Sequence, residues 1–142
     1  MKTVTTKSAA ETKKLGTLLV KELHGGEVIC LDGDLGTGKT TFTQGLLKGL
    51  GVKGPYTSPT FVIMKYYAVV NQQSAQYNIY HVDAYRVGPE DLLELGWKEI
   101  ITDKRNVVII EWSDRIKKIL PKKNMRIHFS WVDKNKRQIV FS

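Results

Sequence analysis

Gly33, Gly38, Lys39 and Thr40 stand in the stretch LDGDLGTGKTTF, residues 31–42, at the spacing G-x-x-x-x-G-K-[ST]. Glycines at such intervals let consecutive backbone N–H groups curl around phosphate oxygens with no Cβ in the way. The lysine brings an ammonium group to the outer phosphates, and the threonine hydroxyl is a ligand for the magnesium ion that accompanies them. The stretch is therefore a candidate anion cradle formed by Gly33, Asp34, Leu35, Gly36, Thr37, Gly38, Lys39, Thr40 and Thr41. Its expected cofactors are ATP and Mg2+, and the alternative is a glycine-rich turn that merely reverses the chain.

Phosphate chemistry of this kind also needs an acid at the end of a strand beside the loop, to hold the metal or orient the attacking water. Asp83 closes IYHVD and Glu111 closes VVIIE, and both are candidates as catalytic groups and, with Thr40, as metal ligands. A turn or helix cap is the alternative for Asp83, and chance exposure after a buried strand for Glu111. Guanine readers carry N-K-x-D, whereas the nearest string here is Asn135-Lys136-Arg137-Gln138 with no acid in fourth place, which favours ATP over GTP. An arginine-rich lid and a second substrate-binding insertion are both missing, which weighs against a small-molecule kinase.

The elements that must position these groups are legible in the pattern. Glu27 to Leu31 (EVICL) reads as a buried strand leading into the loop, and Lys39 to Leu50 has apolar residues at helical spacing. A helix beginning there adds its own partial positive charge to the cradle. Ser8 to Leu23 predicts an earlier helix, with Ser8 and Glu11 forming an S-x-x-E capping box and Gly25-Gly26 ending it. Strands are expected at Phe61 to Val70 and Gln76 to Asp83 around a polar NQQS turn, at Val107 to Ile110, and at Arg126 to Val132 and Arg137 to Phe141 around DKNK. Helices are expected at Pro89 to Leu95, Trp97 to Ile101 and Ser113 to Leu120, the last a basic one stopped by Pro121. The sum is an α/β fold of the P-loop NTPase type: a mixed, mostly parallel sheet flanked by helices, with antiparallel hairpins.

At 142 residues the chain has the length of one ordinary domain, 1–142. It has no apolar run of membrane-spanning length, its N-terminus lacks the apolar segment of a signal peptide, and its lone Cys30 excludes an internal disulfide. A cytoplasmic protein is the expectation. The net charge of +8 is concentrated in residues 115–142, which hold nine Lys/Arg against Asp133. Such a face suits nucleic acid or an acidic protein, and simple solvation is the alternative.

GDLGTGKTTF, then SPTF at Ser58 to Phe61, HxDxYR at His81 to Arg86, ELG at Glu94 to Gly96 and IEW at Ile110 to Trp112 together resemble the bacterial TsaE (YjeE) family, over roughly residues 5–142. The resemblance implies an ATPase required for making threonylcarbamoyladenosine beside the anticodon of tRNA. It implies work in complex with TsaD and TsaB, with tRNA contacted there, and a monomer or weak self-association alone. Carried onto this chain, it makes Glu111 the magnesium-associated acid, Asp83 a second acid near metal or water, and Thr60 a sensor of the terminal phosphate. His81, Tyr85 and Arg86 fall in a switch-like segment, where Arg86 meets phosphate or partner, or forms a salt bridge with Asp83 or Glu111. His81 is expected to be a packed core histidine, while Trp112 lies against nucleotide or partner, or in the core. The adenine end implies Thr5, Ser8 or Thr12 with Lys136 or Arg137; Ser8 and Arg137 are taken as the contacts. Thr37 departs from the family's frequent alanine and is expected to point outward. The competing readings are a small-molecule phosphotransferase and a basic nucleic-acid-binding module with a vestigial nucleotide site.

Overall fold

The computed structural model describes residues 2–56, 63–70 and 76–142. Thr60, Ser58 and Phe61 of the SPTF motif, and the NQQS turn, lie outside the described residues. Seven strands form one sheet: β1 (Lys2–Thr6), β2 (Val28–Asp32), β3 (Met64–Val70), β4 (Gln76–Asp83), β5 (Asn106–Glu111), β6 (Met125–Trp131) and β7 (Arg137–Phe141). Their order is β1-β7-β6-β2-β5-β4-β3. The central strands β6, β2, β5 and β4 run parallel, and β3, β7 and β1 join antiparallel to their neighbours. The fold is thus the mixed α/β sheet that the sequence pattern implies, with both expected hairpins at its sides.

Parallel strands need both faces covered, and the apolar residues divide accordingly. Ile29 and Leu31 of β2 with Val107 and Ile109 of β5 face α1 (Ala9–Leu19) and α2 (Lys39–Gly49), meeting Phe42, Leu46 and Leu47. Val28, Cys30, Val108 and Ile110 face the opposite way, against Leu92 of α3 (Pro89–Glu94), Trp97 and Ile100 of α4 (Trp97–Thr102), and Ile116. Because β2 is sandwiched at the centre, all five of its residues are buried. The chain leaves its C-terminal end at the point where the parallel strands continue on one side to β5 and on the other to β6. That is where open α/β sheets leave a crevice.

Helices α1 and α2 approach closely enough that their contact needs glycine. A Cβ built on Gly45 would stand 1.8 Å from the Lys13 carbonyl oxygen, and one on Gly16 would stand 2.2 Å from that of Phe42. Thr17 Oγ1 donates to the Gly45 carbonyl at 3.0 Å, using the space so gained. Ser8 caps α1, its Oγ accepting from the Glu11 N–H at 3.1 Å, while Glu11 Oε1 accepts from the Lys7 N–H rather than from Ser8.

Two elements differ from the sequence reading. β1 is an addition to the sequence reading: Thr3, Val4, Thr5 and Thr6 are β-branched and suit a strand, and its pairing partner is at the far end of the chain, Lys2 opposite Phe141. The basic segment after Glu111 is not one α-helix but a 3-10 segment, Ser113–Ile119, broken at Ile116 (φ −127°, ψ 29°). The break buries Ile116 completely while its neighbours Lys117 and Lys118 stay exposed. Among the described residues no helix is long and apolar enough to cross a membrane.

Gly45→Ala is expected to destabilise the chain by about 1–3 kcal/mol, because the methyl must displace main chain and not a flexible side chain. Urea unfolding measures it, and an unchanged midpoint would contradict the glycine contact.

Candidate active site

Two glycines of the loop are dictated by geometry. A Cβ on Gly33 would lie 2.4 Å from the Phe129 carbonyl oxygen of β6, and Gly38, the N-cap of α2, sits at φ 106°. Gly38 has no side chain to cap the helix, so the first-turn amide hydrogens of α2 face the loop with no side-chain acceptor. This is the arrangement that recommends a helix start to an anion.

Lys39 is only 5% exposed. Its Nζ donates to the carbonyl oxygens of Gly33 and of Asp34, the latter at 2.9 Å, and lies 4.3 Å from the centre of the Trp112 ring. Burial pushes the lysine below its ordinary pKa, while Glu111, Asp34, Asp32 and Asp83 pull it back up. The ammonium is therefore held by carbonyl dipoles, a ring face and a surrounding group of carboxylates. Trp112 owes its position to an unusual backbone: it has φ 61°, the one positive value at a non-glycine among the described residues. A bulky residue there is strained by roughly 1–3 kcal/mol, and such strain concentrates at sites where a side chain must be aimed. Tyr85 packs on Trp112 at 5.0 Å between ring centres, and the Arg115 guanidinium lies 4.9 Å from the Tyr85 ring.

The two strand-end acids come together. Asp83 and Glu111 are register partners on the parallel strands β4 and β5, and Leu31, next to the loop, aligns with Glu111 from the other side. Thr40 Oγ1 donates to Glu111 Oε1 at 3.3 Å, and His81 Nε2 lies 2.7 Å from Glu111 Oε2. Asp83 accepts the Tyr85 N–H at 3.0 Å; burial, and less strongly the charge of Glu111, raise its pKa above the ordinary 3.8. A hydroxyl and two carboxylates gathered in this way fit magnesium, which takes hard oxygen donors and completes its shell with phosphate and water. Among the described residues no group of three or more His, Cys, Asp or Glu could hold a metal unaided.

A cleft of about 630 Å³ opens over these groups. Of the residues singled out in the sequence, Leu35, Gly36, Gly38, Lys39, Thr40, Thr41, Asp83, Glu111 and Trp112 line it, as do Ser8 and Arg137. Gly33, Asp34 and Thr37 shape the loop from behind, outside the lining. Thr37 corrects its expectation: it is 1% exposed and turns inward, donating to the Asp34 carbonyl at 2.6 Å and so pinning the loop. Arg86 lines the cleft and makes no ion pair with Asp83 or Glu111 among the described residues. Thr12 joins the lining, whereas Thr5 and Lys136 do not.

Sequence reasoning missed three things. Lys134 and Asn135 of the last turn line the cleft, although DKNK reads only as a turn. Asp32, 9% exposed at the end of β2, accepts from Ser113 Oγ at 2.6 Å and from Arg126 Nη1 at 3.2 Å, tying the segment after Trp112 and strand β6 to the root of the loop. Part of the basic fifth is thereby built into the site: Arg126 on Asp32, Arg115 on Tyr85, and Arg137 over the Trp131 ring at 4.2 Å with Nη2 donating to the Gly36 carbonyl at 3.4 Å. His81 is the packed core residue expected, 1% exposed, and it also touches Glu111. The H-x-D spacing on β4 held that signal, since it sets both side chains on the face that meets the end of β5.

A seven-stranded mixed sheet flanked by helices, with a glycine loop at the C-terminal end of a central parallel strand and acids at the ends of the neighbouring strands, makes the chain a single-domain α/β protein with its crevice at the switch point of the sheet. Comparison with known proteins narrows the class. The family model described as threonylcarbamoyl adenosine biosynthesis protein TsaE matches residues 6–139. The tRNA threonylcarbamoyladenosine biosynthesis protein TsaE of Rickettsia conorii is 38% identical over 135 residues, 94% of this chain and 73% of its own. The proteins of the same name from Nostoc and Bacillus subtilis are 39% and 36% identical, over 89% and 93% of this chain and 76% and 79% of theirs. The crystal structure of Bacillus subtilis YdiB covers 99% of this chain and 83% of its own, at 31% identity and a TM-score of 0.79. The chain belongs to the TsaE family of tRNA threonylcarbamoyladenosine biosynthesis proteins.

Asp83 allows a test of the electrostatics. Its raised native pKa means that the stability linked to it is present below the ordinary value of 3.8 and is lost as pH rises through the native value. Asp83→Asn keeps the acceptor for Tyr85 and removes the charge, so it should raise the melting temperature at pH 7. The gain should shrink as the pH falls toward 3.8. A variant less stable than the parent at pH 7 would contradict the assignment.

Proposed function

We propose that the cleft binds ATP with Mg2+ and hydrolyses it, and that this turnover supports threonylcarbamoyladenosine formation on tRNA in complex with TsaD and TsaB. The observation that carries the reading is the convergence of Lys39, the uncapped start of α2 and the Thr40–Glu111 pair on one cleft. In this reading the amide hydrogens of residues 33–41 and the Lys39 ammonium take the phosphate charge. Phosphate oxygens compete for the ammonium with the carbonyls of Gly33 and Asp34. Thr40, Glu111 and Asp83 would hold Mg2+, which would supply positive charge to offset the charge developing on the phosphates. The second strand-end carboxylate orients the attacking water, and Thr60 senses the terminal phosphate. Ser8, Trp112 and Arg137, which all line the cleft, hold the nucleoside end.

The proposed setting is the cytoplasm, with tRNA met in the complex. Exposed lysines of the basic C-terminal fifth outside the cleft, Lys117, Lys118, Lys122 and Lys123 among them, remain to face RNA or protein. Cleavage in this cleft depends on positioning and charge stabilisation, so a partner that completes the site could raise the rate by about 10³–10⁵.

ATP hydrolysis by the purified chain, with and without TsaB and TsaD, tests the proposal. Slow turnover alone and strong stimulation by the partners are expected. Lys39→Ala should lower the stimulated rate at least about 10²-fold, the scale of losing one group that stabilises developing charge. Normal turnover in Lys39→Ala would contradict the assignment of the cleft. A phosphorylated small-molecule acceptor formed without the partners would favour a phosphotransferase instead.

A further inference from the structure

The buried contact between His81 and Glu111 is not used by the account above. His81 Nε2 lies 2.7 Å from Glu111 Oε2, both side chains are nearly inaccessible, and His81 Nδ1 has no hydrogen-bond partner among the described residues. The arrangement restricts where the ring carries its proton. In the neutral tautomer protonated at Nδ1, Nε2 would turn a lone pair toward the Glu111 carboxylate and the Nδ1–H would be a buried donor with no acceptor. A bare Nδ1 leaves only an under-used acceptor, which folded proteins tolerate more readily. Nε2 therefore carries a proton and donates it to Glu111. With Oε2 so engaged and Oε1 accepting from Thr40, the carboxylate is fixed at both oxygens.

We infer that His81 is a positioning residue: its Nε2–H holds the Glu111 carboxylate in the orientation in which it meets the metal, and its Nδ1 takes no part. The inference rests on the proposed reading of Glu111 as a magnesium-associated acid. A side chain that supplies only the Nε2 donor should therefore be enough. Glutamine places an amide nitrogen near Nε2, whereas asparagine places one near Nδ1, short of Glu111.

The experiment compares His81→Gln and His81→Asn in the full chain. Mn2+ binding in the presence of ADP is read by electron paramagnetic resonance, alongside the Mg2+ concentration for half-maximal ATP turnover with TsaB and TsaD. His81→Asn should weaken Mn2+ binding and raise the Mg2+ requirement about 10–100-fold, the usual effect of removing a partner that orients a metal ligand. The KM for ATP at saturating Mg2+ should stay unchanged, and His81→Gln should restore metal affinity to within a few-fold of the parent. Nitrogen-15 NMR of the parent at neutral pH should find the His81 proton on Nε2, and this result decides if His81→Asn does not fold. Equal metal affinity in the two variants, or an Nε2 without a proton, would overturn the inference while leaving ATP hydrolysis in place; normal turnover in Lys39→Ala would instead remove the reading beneath it.

Discussion

The structure depends on keeping one ammonium group buried beside a helix start that no side chain caps. Lys39 is held by carbonyl oxygens of its own loop, by the Trp112 ring and by the field of four acids, drawn from the loop and its root and from the ends of β4 and β5. Desolvation opposes the charge, and the surrounding carboxylates offset it. The loop can present that charge only because Gly33 lets the backbone pass against Phe129 of β6, and because Thr37 turns inward to fasten it.

Everything outside the loop maintains this alignment. The central strand β2 is buried on both faces, so the loop root is as fixed as the core, and α2 is locked to α1 through Gly16 and Gly45. Asp32 extends the same rigidity sideways by binding Ser113 and Arg126, which fixes the segment in which Trp112 adopts its left-handed conformation. On the other side the parallel register of β4 and β5 puts Asp83 level with Glu111, so two acids share one strand-end row without any loop to position them.

The sheet, its hairpins and the loop residues were legible because their signals are local: an apolar run before glycines, alternation around a short turn, a lysine and a threonine at fixed offsets. β1 was not read, since its short β-branched run Thr3 to Thr6 gains a partner only from β7 at the opposite end of the chain. The basic segment at Ser113–Ile119 looked helical, but burial of Ile116 overrode the pattern. In the site, the two acids could be found at strand ends, whereas the tie of Asp32 to Arg126, 94 positions away, leaves no trace in spacing. The tilt of Trp112 over Lys39 is equally silent in the sequence, because it depends on a backbone dihedral that tryptophan rarely adopts.

The most direct test is a crystal structure of the chain with Mg2+ and a non-hydrolysable ATP analogue. The account predicts the phosphates against residues 33–41, Lys39 Nζ within hydrogen-bond distance of a phosphate oxygen, and the metal beside Thr40 and the acids at 83 and 111. A triphosphate seated elsewhere, with Lys39 still on the carbonyls of Gly33 and Asp34, would contradict it.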